Sequence, residues 1–249
     1  MEAINAIVGK IGGFAWGPVM IILLFATGLV LTVVTKFVQY RKIGTAFKLL
    51  ASKPEGDGEI SPFAALMTSL SATIGTGNIA GVATAIALGG PGAVFWMWVT
   101  AVLGGATKFS EAVLAIKYRV TDEKGEQSGG PMYYASKGME EKYGGNWKWL
   151  GWLFALFAFL ASVGIGNMVQ SNSVAASLNQ SLGINTWITG AILAVAVALV
   201  LIGGIKSIAR VSETIVPIMA TVYVIGSLII LFTNASHLGT AFSWIFSNA

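Results

Sequence analysis

Long apolar runs, separated by shorter polar segments, form the hydrophobic pattern of this chain. Most of the runs approach or exceed the roughly 20 apolar residues that a helix needs to cross a bilayer. They cover approximately residues 11–35, 62–88, 91–107, 149–178, 185–205 and 214–235. The pattern therefore predicts an all-α integral membrane protein with about six transmembrane helices.

The second run contains a polar, glycine-rich interruption, TIGTGNIAG. Gly75 and Gly77 permit backbone geometry that other residues resist, while Thr76 and Asn78 favour helix ends over helix interiors. A broken helix is tolerated in lipid only where its freed backbone groups meet protein, water or a ligand. The interruption therefore predicts a binding site, or else a kink whose glycines let another helix approach closely.

The two ends of such a break differ in polarity. The second half-helix would present free N–H groups and a positive dipole end, which suit a carboxylate. The first half-helix would end in unpaired carbonyls, among them those of Ser71 and Ile74, which suit a small cation such as Na⁺.

A second polar cluster lies in the fourth run, where small and polar residues recur three or four positions apart and so share one helix face. Gln170 is the one long amide in this stripe. It is either a hydrogen-bonding contact between helices or a ligand contact, and the sequence leaves both open. The members of the stripe are Ser162, Gly166, Gln170, Ser173 and Ser177.

The segments between the runs suggest a polar, partly helical surface. Residues 36–52 alternate apolar and basic side chains at helical spacing, which predicts a helix lying in the membrane interface. Residues 53–60 predict a polar turn, residues 121–130 an exposed loop, and residues 131–144 a surface helix.

Composition and charge agree with the pattern. Hydrophobic residues make up 55% of the chain and charged residues only 10%, and the mean hydropathy is +0.76. Every Lys and Arg except Lys10 falls in alternate loops or at the helix ends beside them. Because basic loops stay on the cytoplasmic side, the N-terminus is predicted outside a cytoplasmic membrane. Acidic residues interleave with the basic ones, so nucleic acid is not an expected partner.

Isolated charged and polar residues have structural interpretations. Lys108 and Glu111, three positions apart, are predicted to pair as an interfacial anchor. Ser212 and Glu213 are predicted to cap the start of the sixth span, with Pro217 in or just past its first turn. The chain has no cysteine and no metal-ligand spacing or nucleophile with a base, so an enzyme is not expected.

Several motifs then indicate a known family. The sequence resembles the alanine or glycine:cation symporters, the sodium:alanine symporter family, over nearly its whole length. The resemblance implies the inverted-repeat fold of the bacterial leucine transporter, and sodium-driven symport of alanine or glycine by alternating access, with no other cofactor. The motifs that carry it are ATIGTGNIAGVATA, GGPGAVFWMWVTAVLG, ATKFSEAVLAIKYR, SGGPMYYASKG and GNMVQSNSVA.

The resemblance also implies roles for individual residues. Thr76, Gly77 and Asn78 would lie near the carboxylate of the substrate, and Gln170 would be a polar substrate contact. The carbonyls of Ser71 and Ile74 would contribute to a sodium site, completed by hydroxyls from a second repeat. Thr73 is a weaker candidate near the same ion.

Length is where the chain departs from the family, whose members have about eleven spans. Residues 1–60 correspond to an additional N-terminal transmembrane helix with an interfacial helix, and residues 61–249 to the first five-helix repeat. The second repeat is expected to be absent, and the 249 residues are then not expected to transport alone. The alternative is a non-transporting, truncated membrane module or scaffold subunit that needs a partner.

Overall fold

The computed structural model describes residues 2–50, 52, 60–123, 125 and 127–249. These residues are almost entirely helical. The helices are α1 (Glu2–Ala15), α2 (Pro18–Val34), α3 (Val38–Arg41), α4 (Ile43–Leu50), α5 (Pro62–Thr73), α6 (Ala80–Gly89), α7 (Gly92–Lys117), α8 (Pro131–Tyr143), α9 (Lys148–Ala161), α10 (Val169–Leu182), α11 (Thr186–Ile202), α12 (Gly204–Thr233) and α13 (Leu238–Ser247).

Three further segments have tighter or wider helical turns, and one loop forms a small hairpin. Thr76–Asn78 and Ala235–His237 are 3₁₀ turns, and Ser162–Met168 is a π-helix that joins α9 to α10. Strands β1 (Val120–Thr121) and β2 (Gln127–Ser128) pair antiparallel. The predicted exposed loop after α7 is therefore a short hairpin, and the predicted surface helix after it is α8.

Local chemistry explains where several helices begin and end. Proline occupies a first-turn position of α2, α5 and α8, where its missing N–H removes no helical bond. Gly183 follows α10 in the left-handed conformation, with φ of 70°, and its amide donates to the carbonyl of Asn179. This is the geometry that glycine adopts most readily at a helix C-terminus.

Four helical segments of the described residues are long and apolar enough to cross a membrane: Ala6–Val34, Gly92–Lys117, Lys148–Leu182 and Gly204–Thr233. They contain or overlap four of the six predicted spans. The other two runs form shorter helices, because the second run is divided into α5 and α6 and the fifth forms the 17-residue α11. The all-α membrane prediction is confirmed at this level, while the six-span repeat stays a prediction.

The chain divides into two compact units, residues 1–45 with 96–147 and residues 46–95 with 148–249. In the first unit, α2 approaches α7 closely at Gly28, where a Cβ atom would lie 2.9 Å from the Cβ of Leu103. In the same unit, the side-chain amide of Gln39 donates to the hydroxyl of the buried Thr32. The predicted boundary between residues 60 and 61 separates an N-terminal helix from a structural repeat. The two compact units do not test this boundary, so it stays a prediction.

In the second unit, α5 packs along α12, and α11 packs against both α10 and α12. Small residues occupy much of the described core, including Ala64, Ala175 and Ala209. Large apolar side chains lie mainly on the outside, as on Trp187 and Leu199. An apolar exterior around a small core is the distribution expected of a protein surrounded by lipid.

Two expectations about the described helices need correction. Ser212 and Glu213 do not cap the sixth span, because α12 begins eight residues earlier, at Gly204, and Pro217 lies well inside it. The prediction placed the start of the helix at the start of the apolar run, near residue 214. The polar residues before that run, around Lys206, are helical too. The stripe on the fourth span is also interrupted, since the π-helix changes the residue spacing between Ser162 and Met168.

The segment after α2 is helical, as predicted, but it forms two short helices, α3 and α4, with Lys42 between them. The predicted polar turn at residues 53–60 lies outside the described residues except for Ile60. The predicted pair of Lys108 and Glu111 is present, with 3.1 Å between Nζ and Oε2.

Candidate functional site

The predicted interruption of the second apolar run is confirmed as a helix break. α5 ends at Thr73, and Ile74 is extended, with φ of −86° and ψ of 109°. Gly75 is extended as well, and a single 3₁₀ turn follows it. α6 begins only at Ala80. Six residues thus separate the two half-helices, which is enough to free both sets of terminal backbone groups.

Side chains satisfy the amides at the break, and this leaves carbonyls of α5 without their helical partners. The Gly75 amide donates to Asn78 Oδ1 at 3.0 Å, and the Thr76 amide donates to Gln170 Oε1 at 3.1 Å. A continuous helix would use these amides to close turns onto the carbonyls of Ser71 and Ala72. The break therefore exposes acceptors at the end of α5.

The Ile74 carbonyl is freed in the same way. The Asn78 amide, which would bond to it in a continuous helix, donates to the carbonyl of Gly75 instead, at 3.1 Å. The two carbonyls named by the sequence, those of Ser71 and Ile74, thus both lose the amide that would otherwise satisfy them. Carbonyl oxygens at a helix end are the kind of ligand that small hard cations take.

Gln170 connects the break to α10. Its Oε1 accepts from the Thr76 hydroxyl at 3.0 Å as well as from the Thr76 amide. A Cβ atom at Gly75 would lie 3.1 Å from the same oxygen. Glycine at this position therefore provides the space in which Gln170 reaches the backbone. Of the predicted substrate residues, the structure brings together Thr76, Asn78 and Gln170.

Gly77 and Thr73 lie differently from those three. A Cβ atom at Gly77 would meet nothing within 4 Å, so this part of the break is open. The Thr73 hydroxyl turns back to its own helix and donates to the Ser69 carbonyl at 2.8 Å. The Ser71 hydroxyl donates to the Thr68 carbonyl at 2.7 Å and accepts from Ser212 at 3.3 Å.

One cavity adjoins the break, and a second one is lined by Gln170. The first, about 310 Å³, lies between the break and α12 and has almost entirely apolar walls. The second, about 550 Å³, lies between α11 and the end of the π-helix together with the first turns of α10. Asn167, Gln170 and Ser171 supply polar groups to the second cavity, so Gln170 faces both the break and this space.

Sequence reasoning missed the contribution of α12 to this region. Met219, Ala220, Tyr223 and Val224 line the first cavity. Ser212, which is buried, donates to Ser71 from the same helix. Ser212 and Glu213, directly before an apolar run, could have been interpreted either as inward-facing polar residues or as a helix cap. The packing of α5 on α12 shows that they face inward.

In the first unit, a polar contact fastens α8 to the end of α7. Tyr118 donates to the Glu141 carboxylate, and Lys117 donates to both groups. The Tyr118 hydrogen bond, followed by that of Lys117, lowers the pKa of Glu141. On the same helix, burial raises the pKa of Tyr134, with a further contribution from the negative charge of Glu111.

Comparison with known proteins agrees with the resemblance found in the sequence. The family model for the sodium:alanine symporter family matches residues 1–249. The chain belongs to this family. The predicted resemblance is thereby confirmed, and four helical segments of the described residues are long and apolar enough for a multi-pass membrane protein.

Individual relatives in the sodium:alanine symporter family extend the comparison. The chain is 51% identical over 247 residues to the sodium/alanine symporter AgcS of Methanococcus maripaludis, covering 98% of this chain and 54% of that protein. It is 40% identical to the putative sodium/proton-dependent alanine carrier protein YrbD of Bacillus subtilis, covering 97% and 49%. It is 37% identical to the probable sodium/glutamine symporter GlnT of the same bacterium, covering 100% and 51%. The chain spans about half the length of these relatives.

Proposed function

We propose that this chain supplies the broken-helix half of a binding site in a cation-coupled amino-acid symporter. The observation that carries the proposal is the exchange of bonds at the break, where amides donate to Asn78 and Gln170 and carbonyls of α5 lose their partners. Family membership supports the reaction class, since cation-coupled symport is what the family description names.

The substrate carboxylate would bind at the start of the second half-helix. Thr76, Gly77 and Asn78 lie directly before the first turn of α6, whose amides have no helical partner and which has the positive end of the helix dipole. Gln170 would provide an amide group from α10 beside Thr76. A bound carboxylate gains charge-assisted hydrogen bonds from such donors, and these are stronger than neutral ones.

The coupling cation would bind at the end of the first half-helix. The freed carbonyls of Ser71 and Ile74 are the proposed ligands, with the Thr73 hydroxyl as a weaker candidate. Sodium is the cation in the names of AgcS and GlnT, and YrbD is named for sodium and protons. Sodium is therefore the proposed cargo ion, carried with the substrate.

Alanine or glycine is the proposed amino acid. Alanine appears in the names of two of these relatives and glutamine in the name of a third. A neutral amino acid suits a break with no acidic or basic residue between Thr73 and Gly81. Competition among alanine, glycine and glutamine for binding would decide the preference.

Transport is proposed to work by alternating access, in which substrate and sodium together shift the populations of states open to either side. We further propose that these residues correspond to the first five-helix repeat with an extra N-terminal helix, and that a second repeat completes the substrate site and the sodium site. The relatives support this proposal because they are about twice as long as the chain. A scaffold that binds neither sodium nor alanine is the alternative from a different class.

The test is calorimetric titration of alanine into the purified chain in nanodiscs, in sodium and in potassium buffer, beside uptake of labelled alanine by cells that express the protein together with the proposed second repeat. We expect alanine to bind in the sodium buffer and not in the potassium buffer. Asn78→Ala and Gln170→Ala should each weaken it about 10-fold or more, the usual cost of losing a hydrogen bond to a charged group.

Thr84→Ala is the matched control, because the Thr84 hydroxyl donates only to the Ala80 carbonyl of its own helix. It should leave binding and uptake unchanged. Unchanged sodium-dependent uptake in the Asn78 and Gln170 variants would show that the site assignment is wrong. Absence of sodium-dependent binding together with absence of uptake would favour the scaffold.

A further inference from the structure

The chain turns sharply where α2 ends. Lys36 and Phe37 both have left-handed backbone conformations, with φ of 55° and 57°. The Phe37 amide donates to the Thr32 carbonyl at 2.8 Å, and Arg41 then holds the Lys36 carbonyl at 3.1 Å. Non-glycine residues adopt this conformation at a cost, so two in succession mark a turn that the surrounding bonds impose. We call residues 36–50 the elbow.

The elbow beyond the turn has two different faces. Along α4, Ile43, Phe47 and Leu50 follow the spacing of one helix face, and Gly44 and Lys48 lie on another. The aromatic and aliphatic side chains are largely uncovered, with Phe47 69% exposed and Tyr40 50% exposed. An uncovered apolar face opposite a basic face is typical of a helix that lies in a membrane surface.

The charge of the elbow is entirely positive. Its basic residues, all exposed, are Lys36, Arg41, Lys42 and Lys48, and the sequence has no acidic residue between Glu2 and Glu55. In the part of the chain that the structure describes, Lys36, Lys42 and Lys48 pair with no carboxylate. Four cations beside an uncovered apolar face produce a positive field that attracts a partner of opposite charge.

Several other basic residues near helix ends have acidic residues beside them. Lys108 pairs with Glu111, and Lys117 pairs with Glu141. On α8, Lys137 and Lys142 share their helix with Glu140 and Glu141. The excess of positive charge is therefore a property of the elbow and not of every basic segment of the chain.

We propose that the elbow binds anionic phospholipid, with its apolar face among the acyl chains and its four cations on the phosphate headgroups. A cluster of four or more basic residues directly beside a spanning helix or on an amphipathic helix attracts anionic lipid, each charge adding a similar increment. The turn at Lys36 and Phe37 ends α2, so the elbow does not continue that helix.

The experiment measures lipids retained by the full chain. Protein from nanodiscs containing equimolar phosphatidylcholine and phosphatidylglycerol is released into native mass spectrometry, and the ratio of the two retained lipids is recorded. We expect enrichment of phosphatidylglycerol. Lys42→Gln with Lys48→Gln should reduce that enrichment roughly 25-fold, from about fivefold per charge near a membrane surface.

The matched control is Lys137→Gln with Lys142→Gln, which removes the same charge from α8 and should leave the enrichment unchanged. Lys42→Arg with Lys48→Arg keeps the charge and should also leave it unchanged. If the enrichment fell equally in the Lys42→Gln, Lys48→Gln variant and in the Lys137→Gln, Lys142→Gln variant, it would depend only on net charge, and the proposal would be overturned. The absence of any enrichment in the unmodified chain would overturn it as well, whatever the variants do.

A depth measurement tests the orientation independently of lipid type. Because the chain has no cysteine, Phe47→Cys and Lys48→Cys each offer one labelling position. A fluorophore at position 47 should be quenched by brominated acyl chains, and one at position 48 by aqueous iodide. Quenching of both labels by iodide alone would show that the elbow stands away from the membrane, contrary to the proposal.

Discussion

At the scale of single residues, glycine decides how the helix break is built. Gly75 leaves room for Gln170, whereas Gly77 faces open space, although the two are only two positions apart. The sequence pattern treats them alike, as residues that permit unusual backbone. In the structure, a close contact with Gln170 requires glycine at position 75, whereas no contact requires it at position 77.

Gly75→Ala and Gly77→Ala should consequently differ. The Cβ atom at position 75 would lie 3.1 Å from Gln170 Oε1 and force that side chain to move. We expect a loss of about 1 kcal/mol in the free energy of unfolding, at the lower end of the range for overpacking. Gly77→Ala should change it by no more than a few tenths of a kcal/mol. Thermal unfolding followed by circular dichroism in one detergent compares them, and equal losses would contradict the assignment.

At the scale of elements, the beginning of α5 depends on its packing against α12. The Ser61 hydroxyl accepts from the Ala64 amide at 3.0 Å, and it donates to Glu213 Oε1 at 3.1 Å. One side chain therefore caps α5 and attaches it to the first third of α12. Glu213, expected to cap its own helix, instead orients the cap of another.

Ser61→Ala removes both bonds, and it should destabilise the protein by about 1 kcal/mol, the typical cost of losing an N-cap. Hydrogen exchange should rise in the first turn of α5, since its amides lose their acceptor. The same measurement on Thr84→Ala is the control, because Thr84 bonds only within its own helix. Unchanged exchange at Ala64 in Ser61→Ala would show that the cap does not hold the end of α5.

The elements also show how far the pattern reaches. Each of the apolar runs predicted from the sequence lies largely in helical segments, since apolar stretches of this length satisfy their backbone in lipid only as helices. The break in the second run was predicted at the correct residues because glycine, threonine and asparagine all disfavour a helix interior there. The π-helix at Ser162–Met168 was not predicted, because its extra residue per turn has no distinct pattern of side chains.

At the scale of the whole molecule, the distribution of charge predicts the orientation in the membrane. Lys10 is the only basic residue on the side predicted to face outward, and the basic residues of α8 lie on the other. The absence of cysteine allows each position to be labelled alone.

Lys10→Cys in intact cells should react with a membrane-impermeant maleimide. Lys137→Cys should react only after the membrane is permeabilised, because loops rich in Lys and Arg remain in the cytoplasm. The reverse result would place the N-terminus inside, and it would also transfer the elbow to the outer face. Labelling of both positions in permeabilised cells is the control for accessibility.

The class of the protein, the apolar runs and the position of the helix break can be predicted from local sequence. Hydrophobicity over about 20 residues and the conformational preferences of single residues act without knowledge of distant neighbours. The family, by contrast, is indicated by the resemblance of whole motifs. Helix packing is needed to know which groups meet at the break: Gln170, 94 positions from Thr76, and Ser212, 141 positions from Ser71. Contacts over such separations depend on how helices pack, and small residues permit many packings that no local pattern distinguishes.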